Sequence, residues 1–168
     1  MPFPMVSDPL KTYEERNNGR VDLAQQKLEK YLKHKKYYYQ RFGWDEKDKK
    51  IPSREWYQFP KFVKSMPDTI VIHPKLGFIF METKGCRDYL GLKQDDITQY
   101  VEWNKIAQIF IAIYSTTANQ LYIVPLVVLI SLLEDNDIPK DKYPDNNKIY
   151  FKIPLEYIES YKQGEQWK

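Results

Sequence analysis

The sequence has little of several residues on which common kinds of sites depend. Its 168 residues include one cysteine, Cys86, two histidines and six glycines. A single cysteine excludes an internal disulfide, and one cysteine with two isolated histidines does not make a zinc site. No glycine-rich phosphate loop is present, and no serine or cysteine has the local signature of a nucleophile. ATP use and covalent catalysis are therefore not expected.

Long hydrophobic runs are lacking as well. The two longest, around Ile109 to Tyr114 and Leu121 to Leu133, are interrupted by polar residues and proline and fall short of a membrane span. The first residues do not have the charged, apolar and small-residue order of a signal peptide. We therefore expect no membrane partner and an intracellular, reducing compartment.

Aromatic residues, in contrast, are abundant. They make up 15% of the chain, with 14 Tyr and 4 Trp, a high share that suits a large core or a stacking surface. The net charge is only +3, but residues 1–64 carry 15 Lys and Arg against 9 Asp and Glu, whereas residues 65–168 carry 11 against 14. The basic N-terminal third predicts either a phosphate-binding face or a solvated helix face followed by a loop.

The length fits one domain, and residues 1–20, rich in proline and ending in a turn, predict an irregular arm before a single domain at residues 21–168. Hydrophobic spacing predicts helices over about 21–39, 94–107, 125–135 and 155–162. Strands are predicted over 69–72, 78–83, 108–115, 121–124 and 148–153, and loops over 41–62, 86–93 and 135–147. This order predicts an α/β fold with a mixed central β-sheet flanked by helices.

The segment MPDTIVIHPKLGFIFMETKG, residues 66–85, places three charged residues, Asp68, Glu82 and Lys84, on what look like buried strands. A turn centred on Lys75 would pair Ile72 with Phe78, Ile70 with Phe80 and Asp68 with Glu82. Because side chains alternate along a strand, Lys84 would share the face of Glu82. Opposed carboxylates repel and one lysine cannot offset both, so a cation is expected between them. The alternative is an exposed hairpin edge with a salt bridge.

The expected cation is a hard divalent ion, Mg²⁺ or Mn²⁺. Such ions take oxygen ligands from carboxylates, a backbone carbonyl and water, and they join substrate phosphates. Asp68 and Glu82 are the predicted ligands, with the carbonyl of Thr83 as a backbone ligand. Lys84 would stabilise the attacking hydroxide or the charge that develops on a phosphoryl group. The predicted chemistry is phosphodiester hydrolysis.

These residues resemble the PD-(D/E)XK nuclease superfamily. Pro67-Asp68 opens one strand, and Glu82-Thr83-Lys84 closes the next one before a predicted helix. Two further acid-x-Lys triplets, at residues 45–47 and 48–50, lie in a polar stretch without a strand, so the triplet alone carries little weight. The resemblance extends to virus-type replication-repair nucleases and resolvase-like members, whose pattern is met here by Glu82, Lys84, Gly85, Asp88, Leu90 and Gln94. It covers about residues 21–131.

The resemblance implies a restriction-endonuclease-like core and a metal-dependent nuclease. It also implies that Gln94, with Gln99 as the competing choice, packs beside the active site and touches the ion's water or the substrate backbone. Many members of the superfamily have a glutamate on the first helix near the metal. Here residues 25 and 26 are glutamines and Glu29 follows one turn later. Glu29 is therefore predicted as a further metal ligand, against the alternative of a solvent-facing partner for Lys33.

Basic and aromatic residues alternate in KHKKYYYQRFGW, residues 33–44. This mixture suits a nucleic-acid face, with cations for phosphates and rings for exposed bases, although the end of an amphipathic helix that runs into a strand has the same composition. The predicted nucleic-acid contacts are Lys33, Lys35, Lys36, Tyr38, Arg41 and Arg87.

Together these features predict a Mg²⁺-dependent endodeoxyribonuclease, cytoplasmic or nucleoid-associated, with DNA favoured over RNA. Cutting both strands takes two active sites, so a homodimer or higher homo-oligomer is expected. A branched-DNA resolvase, a phage-type repair or replication nuclease and a site-specific enzyme are all compatible with the sequence. Two alternatives from other classes are a non-catalytic nucleic-acid-binding module with the same fold and a protein-interaction domain with an incidental motif.

Overall fold

The computed structural model describes residues 20–41, 55, 57–135 and 137–162, with side chains from Leu23 onward. The elements are α1 (Arg20–Lys35), β1 (Tyr38–Arg41), α2 (Lys61–Lys64), β2 (Thr69–His73), β3 (Gly77–Cys86), β4 (Tyr89–Lys93), α3 (Gln94–Asn104), β5 (Ile109–Ser115), β6 (Gln120–Pro125), α4 (Leu126–Asp135), β7 (Lys140–Lys142), β8 (Ile149–Pro154) and a 3₁₀ helix (Leu155–Tyr161). Residues 1–19 of the predicted arm, and residues 42–54 and 56 of the predicted loop, lie outside the described ranges.

Five strands form the central sheet in the order β1, β2, β3, β5, β6. β3 and β5 run parallel, whereas the other neighbours are antiparallel, so the sheet is mixed. α1 packs on one face, and α3 and α4 lie on the other. The predicted α/β fold, a mixed central sheet flanked by helices, is confirmed. No helix in the described part of the chain is long and apolar enough to cross a membrane.

The strand β5 is the centre of the core because both of its faces are buried. Ile109, Ile111 and Ile113 belong to the apolar layer that also contains residues of α3 and α4. Phe110 and Ala112 belong to the layer beneath α1. A strand covered on both faces needs apolar residues at every position, which is why this segment reads as a continuous hydrophobic run rather than an alternating one.

The hairpin of β2 and β3 has the predicted register. Its pairs are Thr69 with Met81, Ile70 with Phe80, Val71 with Ile79 and Ile72 with Phe78. Gly77 has a positive φ of 74°, which a glycine adopts without steric cost. The buried ring of His73 accepts hydrogen bonds at Nδ1 from the backbone N–H groups of Lys75 (3.2 Å) and Leu76 (3.1 Å). The turn is therefore held by its own histidine.

The helix predicted to reach about residue 39 was wrong at its C-terminal end. α1 ends at Lys35, and Lys36 has a positive φ of 59° that terminates the helix. Residues Tyr38–Arg41 instead form β1, which pairs with β2 at the edge of the sheet. The three tyrosines at positions 37–39 suit a strand better than a helix, and the open edge of β2 supplies the partner that the sequence does not reveal.

The loops predicted at residues 86–93 and 135–147 were also wrong in part. Each contains a strand, β4 and β7, and both strands pair with β8 in a second, three-stranded antiparallel sheet. Leu90 and Leu92 are buried on the inner side of this sheet with Ile153. Two apolar residues in a five-residue strand are too few to reveal its period. The last helix is a 3₁₀ helix.

Protonation of His73 should weaken the hairpin. Burial lowers the pKa of His73, and the charge of Lys75 acts in the same direction. The folded protein therefore binds fewer protons than the unfolded chain just below the ordinary histidine pKa of about 6.5, so the free energy of unfolding should fall as the pH drops below about 6.5. His73→Asn keeps a hydrogen-bond acceptor but does not titrate, and it should remove this part of the pH dependence in urea unfolding.

His34 supplies the control because it is exposed on α1. His34→Asn should keep the wild-type dependence of stability on pH. If His73→Asn shows the same fall in stability between about pH 7.5 and about pH 5.5 as the wild type, the protonation of another group is responsible.

Candidate active site

The charged residues predicted from the hairpin lie where β2 begins and β3 extends past it, paired there only with β5. The last pair of the two strands is Thr69 with Met81, but β3 extends to Cys86. Pro67 is buried and has no N–H to donate, so β2 cannot extend toward its N-terminus as a regular ladder strand. This step in the sheet edge leaves polar backbone groups of β3 facing Asp68.

Asp68 takes over the hydrogen bonding at this step. Its Oδ2 accepts a hydrogen bond from the backbone N–H of Thr83 (3.0 Å) and another from the hydroxyl of Thr83 (2.8 Å). Asp68 precedes the first paired residue of β2, so the alternation of the pleat does not determine its direction. Among the described residues, no hydrogen bond uses Oδ1 of Asp68. One oxygen fixes the carboxylate, and the other is available to a cation.

Glu82 lies on the α3 side of β3 and is enclosed by donors. Its Oε1 accepts a hydrogen bond from the hydroxyl of Tyr100 (2.7 Å) and lies 3.1 Å from Nζ of Lys84. Its Oε2 accepts a hydrogen bond from the backbone N–H of Asp68 (3.2 Å). The side chain is only 12% exposed. Burial, with the charge of Asp68, raises the pKa of Glu82 to about 7, against the opposing effects of Lys84 and Tyr100.

Lys84 lies between two carboxylates. Its Nζ is 3.1 Å from Oε1 of Glu82 and 3.4 Å from Oδ2 of Asp96, and it is 5.6 Å from the centre of the Tyr100 ring. Burial alone would lower the pKa of Lys84, but the Tyr100 hydroxyl and the carboxylates of Glu82 and Asp96 hold this pKa well above its ordinary value. Lys84 is therefore an ammonium at neutral pH, suited to stabilise negative charge rather than to accept a proton.

Gln25 joins α1 to the opposite side of the same strand. The buried amide donates hydrogen bonds from Nε2 to Thr69 Oγ1 (3.3 Å) and to Glu29 Oε1 (3.1 Å). Its Oε1 lies 3.3 Å from Thr83 Oγ1 and shares the single hydroxyl hydrogen that Thr83 donates more closely to Asp68. Glu29 also forms an ion pair with Arg41 at 3.7 Å. Glu29 is thus connected to the site through Gln25, and its predicted role as a metal ligand stays a prediction.

The chain segment before Asp68 is anchored on α3. The ring of Phe62 stacks on Trp103 with centroids 4.3 Å apart, and Trp103 Nε1 donates a hydrogen bond to the Phe62 carbonyl (3.2 Å). Ser65 Oγ donates a hydrogen bond to Oε1 of Gln99 (3.2 Å). These contacts fix the approach of the chain to Asp68, so Gln99 supports the site from outside it.

Two residues of α3 that contact the site, Asp96 and Tyr100, were not singled out from the sequence. They are four residues apart and therefore lie on one face of the helix. Gln94 is exposed and lines a groove with residues of α4 and β8, and no hydrogen bond among the described residues joins it to Asp68, Glu82 or Lys84. Its predicted role beside the ion stays a prediction.

The donors at this site suit a hard ion that keeps water. In the described ranges, no three His, Cys, Asp or Glu side chains are grouped closely enough to form a metal cage. Asp68 and Glu82 supply two carboxylates that border residue 83 of β3. Mg²⁺ is typically bound by one or two carboxylates together with waters and substrate phosphates, whereas structural zinc needs four protein ligands. The residues therefore fit Mg²⁺ or Mn²⁺ better than zinc.

The predicted nucleic-acid contacts divide into two groups. Arg41 pairs with Thr69 across β1 and β2, which places it beside the Asp68 end of the hairpin, and the exposed Arg87 follows β3 directly. Tyr38, which is 81% exposed, pairs with Ile72 at the other end of β2. Exposed lysines at the end of α1 accompany Tyr38 there, namely Lys33, Lys35 and Lys36.

The hydroxyl of Thr83 should contribute measurably to stability through Asp68. Thr83→Val keeps the shape of the side chain but removes the O–H donor, and a hydrogen bond to a charged group contributes about 1.5–3 kcal/mol. Thr83→Ser keeps the donor and is the matched control. Urea unfolding at neutral pH should show a larger loss for valine than for serine, and equal losses would contradict a role for this hydrogen bond.

No family model matches the sequence, and no curated protein matches it. Among solved structures, the chain is similar to Hjc, a Holliday junction resolvase from Archaeoglobus fulgidus, with a TM-score of 0.53 and 14% identity over 88% of this chain and 99% of that one. It is also similar to D212, a nuclease from a fusselovirus, with a TM-score of 0.50 and 16% identity over 90% of this chain and 89% of that one. The chain therefore has the restriction-endonuclease-like fold of these nucleases, as the sequence predicts.

Proposed function

We propose that this chain is a divalent-metal-dependent nuclease that hydrolyses DNA phosphodiester bonds as an endonuclease. The observation that carries the proposal is the position of Lys84. Its ammonium group lies against the largely buried Glu82, and Asp68 borders the same strand. Charged groups are costly to bury, and a buried cluster of them in a cleft is typical of a functional site. The fold shared with Hjc and D212 supports the proposal.

Each charged residue has a separate proposed task. Asp68 and Glu82 would hold the ion, together with the carbonyl of Thr83. When bound, Mg²⁺ or Mn²⁺ would polarise a phosphoryl oxygen and ease the ionisation of a nearby water molecule. Lys84 stabilises negative charge that develops on the phosphoryl oxygens. Tyr100 fixes the orientation of Glu82 by its 2.7 Å hydrogen bond.

Glu29 and Gln94 are proposed for supporting roles at the same site. The contacts of Glu29 with Gln25 and Arg41 both use its Oε1, so Oε2 is the oxygen proposed to bind an ion. To reach the substrate backbone, the side chain of Gln94 would have to leave the groove that it lines and turn to the other face of α3. Both assignments can be tested separately from those of Asp68, Glu82 and Lys84.

We propose that the two groups of basic residues contact different parts of the DNA. Arg41 and Arg87 are exposed near the ends of strands that border the site, where they can bind phosphates next to the cleaved bond. The lysines at the end of α1 and Tyr38 lie at the other end of β1 and would meet a longer arm of the substrate. Removing this second group should weaken binding without a direct effect on the chemical step.

Removal of any of the three charged groups should abolish cleavage. Asp68→Asn, Glu82→Gln and Lys84→Met should each lower the rate at least about 100-fold, the usual effect of losing one group that stabilises developing charge. Supercoiled plasmid, single strands and a four-way junction, each with Mg²⁺ or with EDTA, would show both the reaction and the substrate class. EDTA should prevent all cleavage.

The matched control is the exposed ion pair of Lys105 and Glu102 at the end of α3, whose atoms are 2.8 Å apart. Glu102→Gln at the end of α3 and Lys105→Gln directly after it remove one negative and one positive charge outside the site, and both should leave cleavage unchanged. The far-ultraviolet circular dichroism spectrum establishes that each variant is folded. Wild-type rates in all three site variants would rule out this active site, and DNA binding without any cleavage would favour the non-catalytic module.

We also propose that the active form is a homodimer, since paired cuts in two strands need two active sites. Mixing the wild type with an excess of Glu82→Gln should then convert paired cuts in a four-way junction into single nicks. This conversion is measured as the ratio of paired cuts to nicks on a supercoiled plasmid that carries the junction. A ratio that is independent of added Glu82→Gln would indicate that each chain acts alone or does not exchange.

A further inference from the structure

The second sheet has one buried face and one that bears tyrosines and lysines. Leu90, Leu92 and Ile153 point into the core. The alternate positions of β4 and β8 point outward, and with the neighbouring Tyr143 they form what we term the outer face, namely Tyr89, Gly91, Lys93, Tyr143, Tyr150 and Lys152. Tyr89 is 42% exposed. The sequence does not predict this surface because most of its residues lie in segments predicted to be loops.

The rings of the outer face are arranged side by side with cations between them. Tyr143 and Tyr150 lie with ring centroids 4.3 Å apart at an angle of 30°. A Cβ atom at Gly91 would lie 3.6 Å from Tyr150 and 3.7 Å from the Tyr143 hydroxyl. These are ordinary van der Waals distances, so both tyrosine side chains lie close over the strand at this position.

Each ring has an ammonium group near its face or edge. Nζ of Lys93 is 5.4 Å from the centre of Tyr143, and Nζ of Lys152 is 5.6 Å from the centre of Tyr89 and 5.9 Å from that of Tyr150. Rings and cations interleaved at this spacing present stacking surfaces for bases and positive charge for phosphates at the same time. Solubility alone does not require rings and ammonium groups to alternate in this way.

The charge of this region has one dominant sign. The strands β4, β7 and β8 with the connecting residues 143–148 contain five lysines and two aspartates. One of these aspartates, Asp141, pairs with Lys152 at 2.8 Å. On the outer face itself Lys93 and Lys152 outnumber Asp141, whereas the register places Lys140 and Lys142 on the opposite face with Phe151 and Ile149. The excess on the outer face is small, and it has the sign that a nucleic-acid backbone requires.

The outer face is continuous with the candidate active site. Lys93 is the residue before α3, and Asp96, one helical turn later, contacts Lys84. Lys148, at the turn before β8, lies 3.8 Å from Asp95 in the first turn of α3. Lys84 and the residues at the border of the outer face, Lys93 and Lys148, therefore meet at the first turn of α3.

We propose that the outer face binds an unpaired segment of the DNA substrate that leaves the active site. The route from the site rests on the proposed nuclease function, whereas the binding itself does not. Tyrosine rings stack on unpaired bases, which a duplex does not offer, and the lysines bind the phosphates of the same segment. The face then favours DNA with a single-stranded branch over a continuous duplex.

Binding measured in EDTA tests this proposal without cleavage. Fluorescence anisotropy of a labelled DNA single strand, an RNA strand of the same sequence and a blunt DNA duplex supplies three affinities for each variant. Tyr89→Ala should weaken single-strand binding about fivefold or more, the usual effect of losing one stacking ring, and should leave duplex binding unchanged. Lys93→Gln combined with Lys148→Gln should also lower the slope of log affinity against log salt for the single strand by about 1.4.

Matched controls exist for both kinds of change. Tyr157 is 41% exposed on the 3₁₀ helix, so Tyr157→Ala removes an equally exposed ring outside the face. Lys75→Gln with Lys105→Gln removes two exposed lysines from the hairpin turn and the end of α3. Neither control should change single-strand affinity by more than about twofold.

The outcomes separate this proposal from the proposed nuclease function. Three results would overturn the proposal for the outer face even if the protein cleaves DNA. They are wild-type single-strand affinity in both face variants, equal losses in the controls, and no single-strand binding by the wild type. Binding of the RNA strand at least about tenfold tighter than the DNA strand would overturn DNA as the occupant. Loss of binding in the face variants of a protein that cleaves nothing would support the face and refute the nuclease.

Discussion

The site depends on how the protein stabilises negative charge where β2 starts and β3 runs on. The backbone of β2 ends its ladder at Thr69, and Asp68 replaces the missing backbone acceptor with its carboxylate. In return, the backbone N–H of Asp68 donates to Glu82. A backbone N–H of β3 therefore orients Asp68, and the backbone N–H of Asp68 orients Glu82. These fixed hydrogen bonds offset the repulsion between the two carboxylates.

Two helices from distant parts of the sequence complete this arrangement. α1 brings Gln25 against Thr83, and α3 brings Tyr100 against Glu82 and Asp96 against Lys84. These contacts come from opposite faces of the sheet, so β3 is held between them. A site positioned on a rigid strand and supported from both sides can keep charged groups at fixed distances in the absence of a ligand.

The sequence predicts the hairpin well because its information is local. Turn residues, alternation and the positions of the acids determine the register, and the observed pairs agree. It predicts the supporting contacts poorly. Tyr100 lies in the apolar stripe of an amphipathic helix, where a tyrosine reads as core, and its hydroxyl contact with Glu82 follows only from tertiary packing. β4 was missed because it depends on a partner, β8, that is far away in the chain, and β7 because its three residues are charged and exposed.

Both acids and the lysine of the candidate site come from seventeen consecutive residues, Asp68 to Lys84. Contacts between residues so close in the chain require little loop closure and can form early in folding, whereas the contributions of Gln25 and Tyr100 require the distant helices to dock. The reactive groups are thus placed by local contacts and their supports by non-local ones. Substitutions in α1 or α3 can retune the environment of the site during evolution while the hairpin that carries it stays intact.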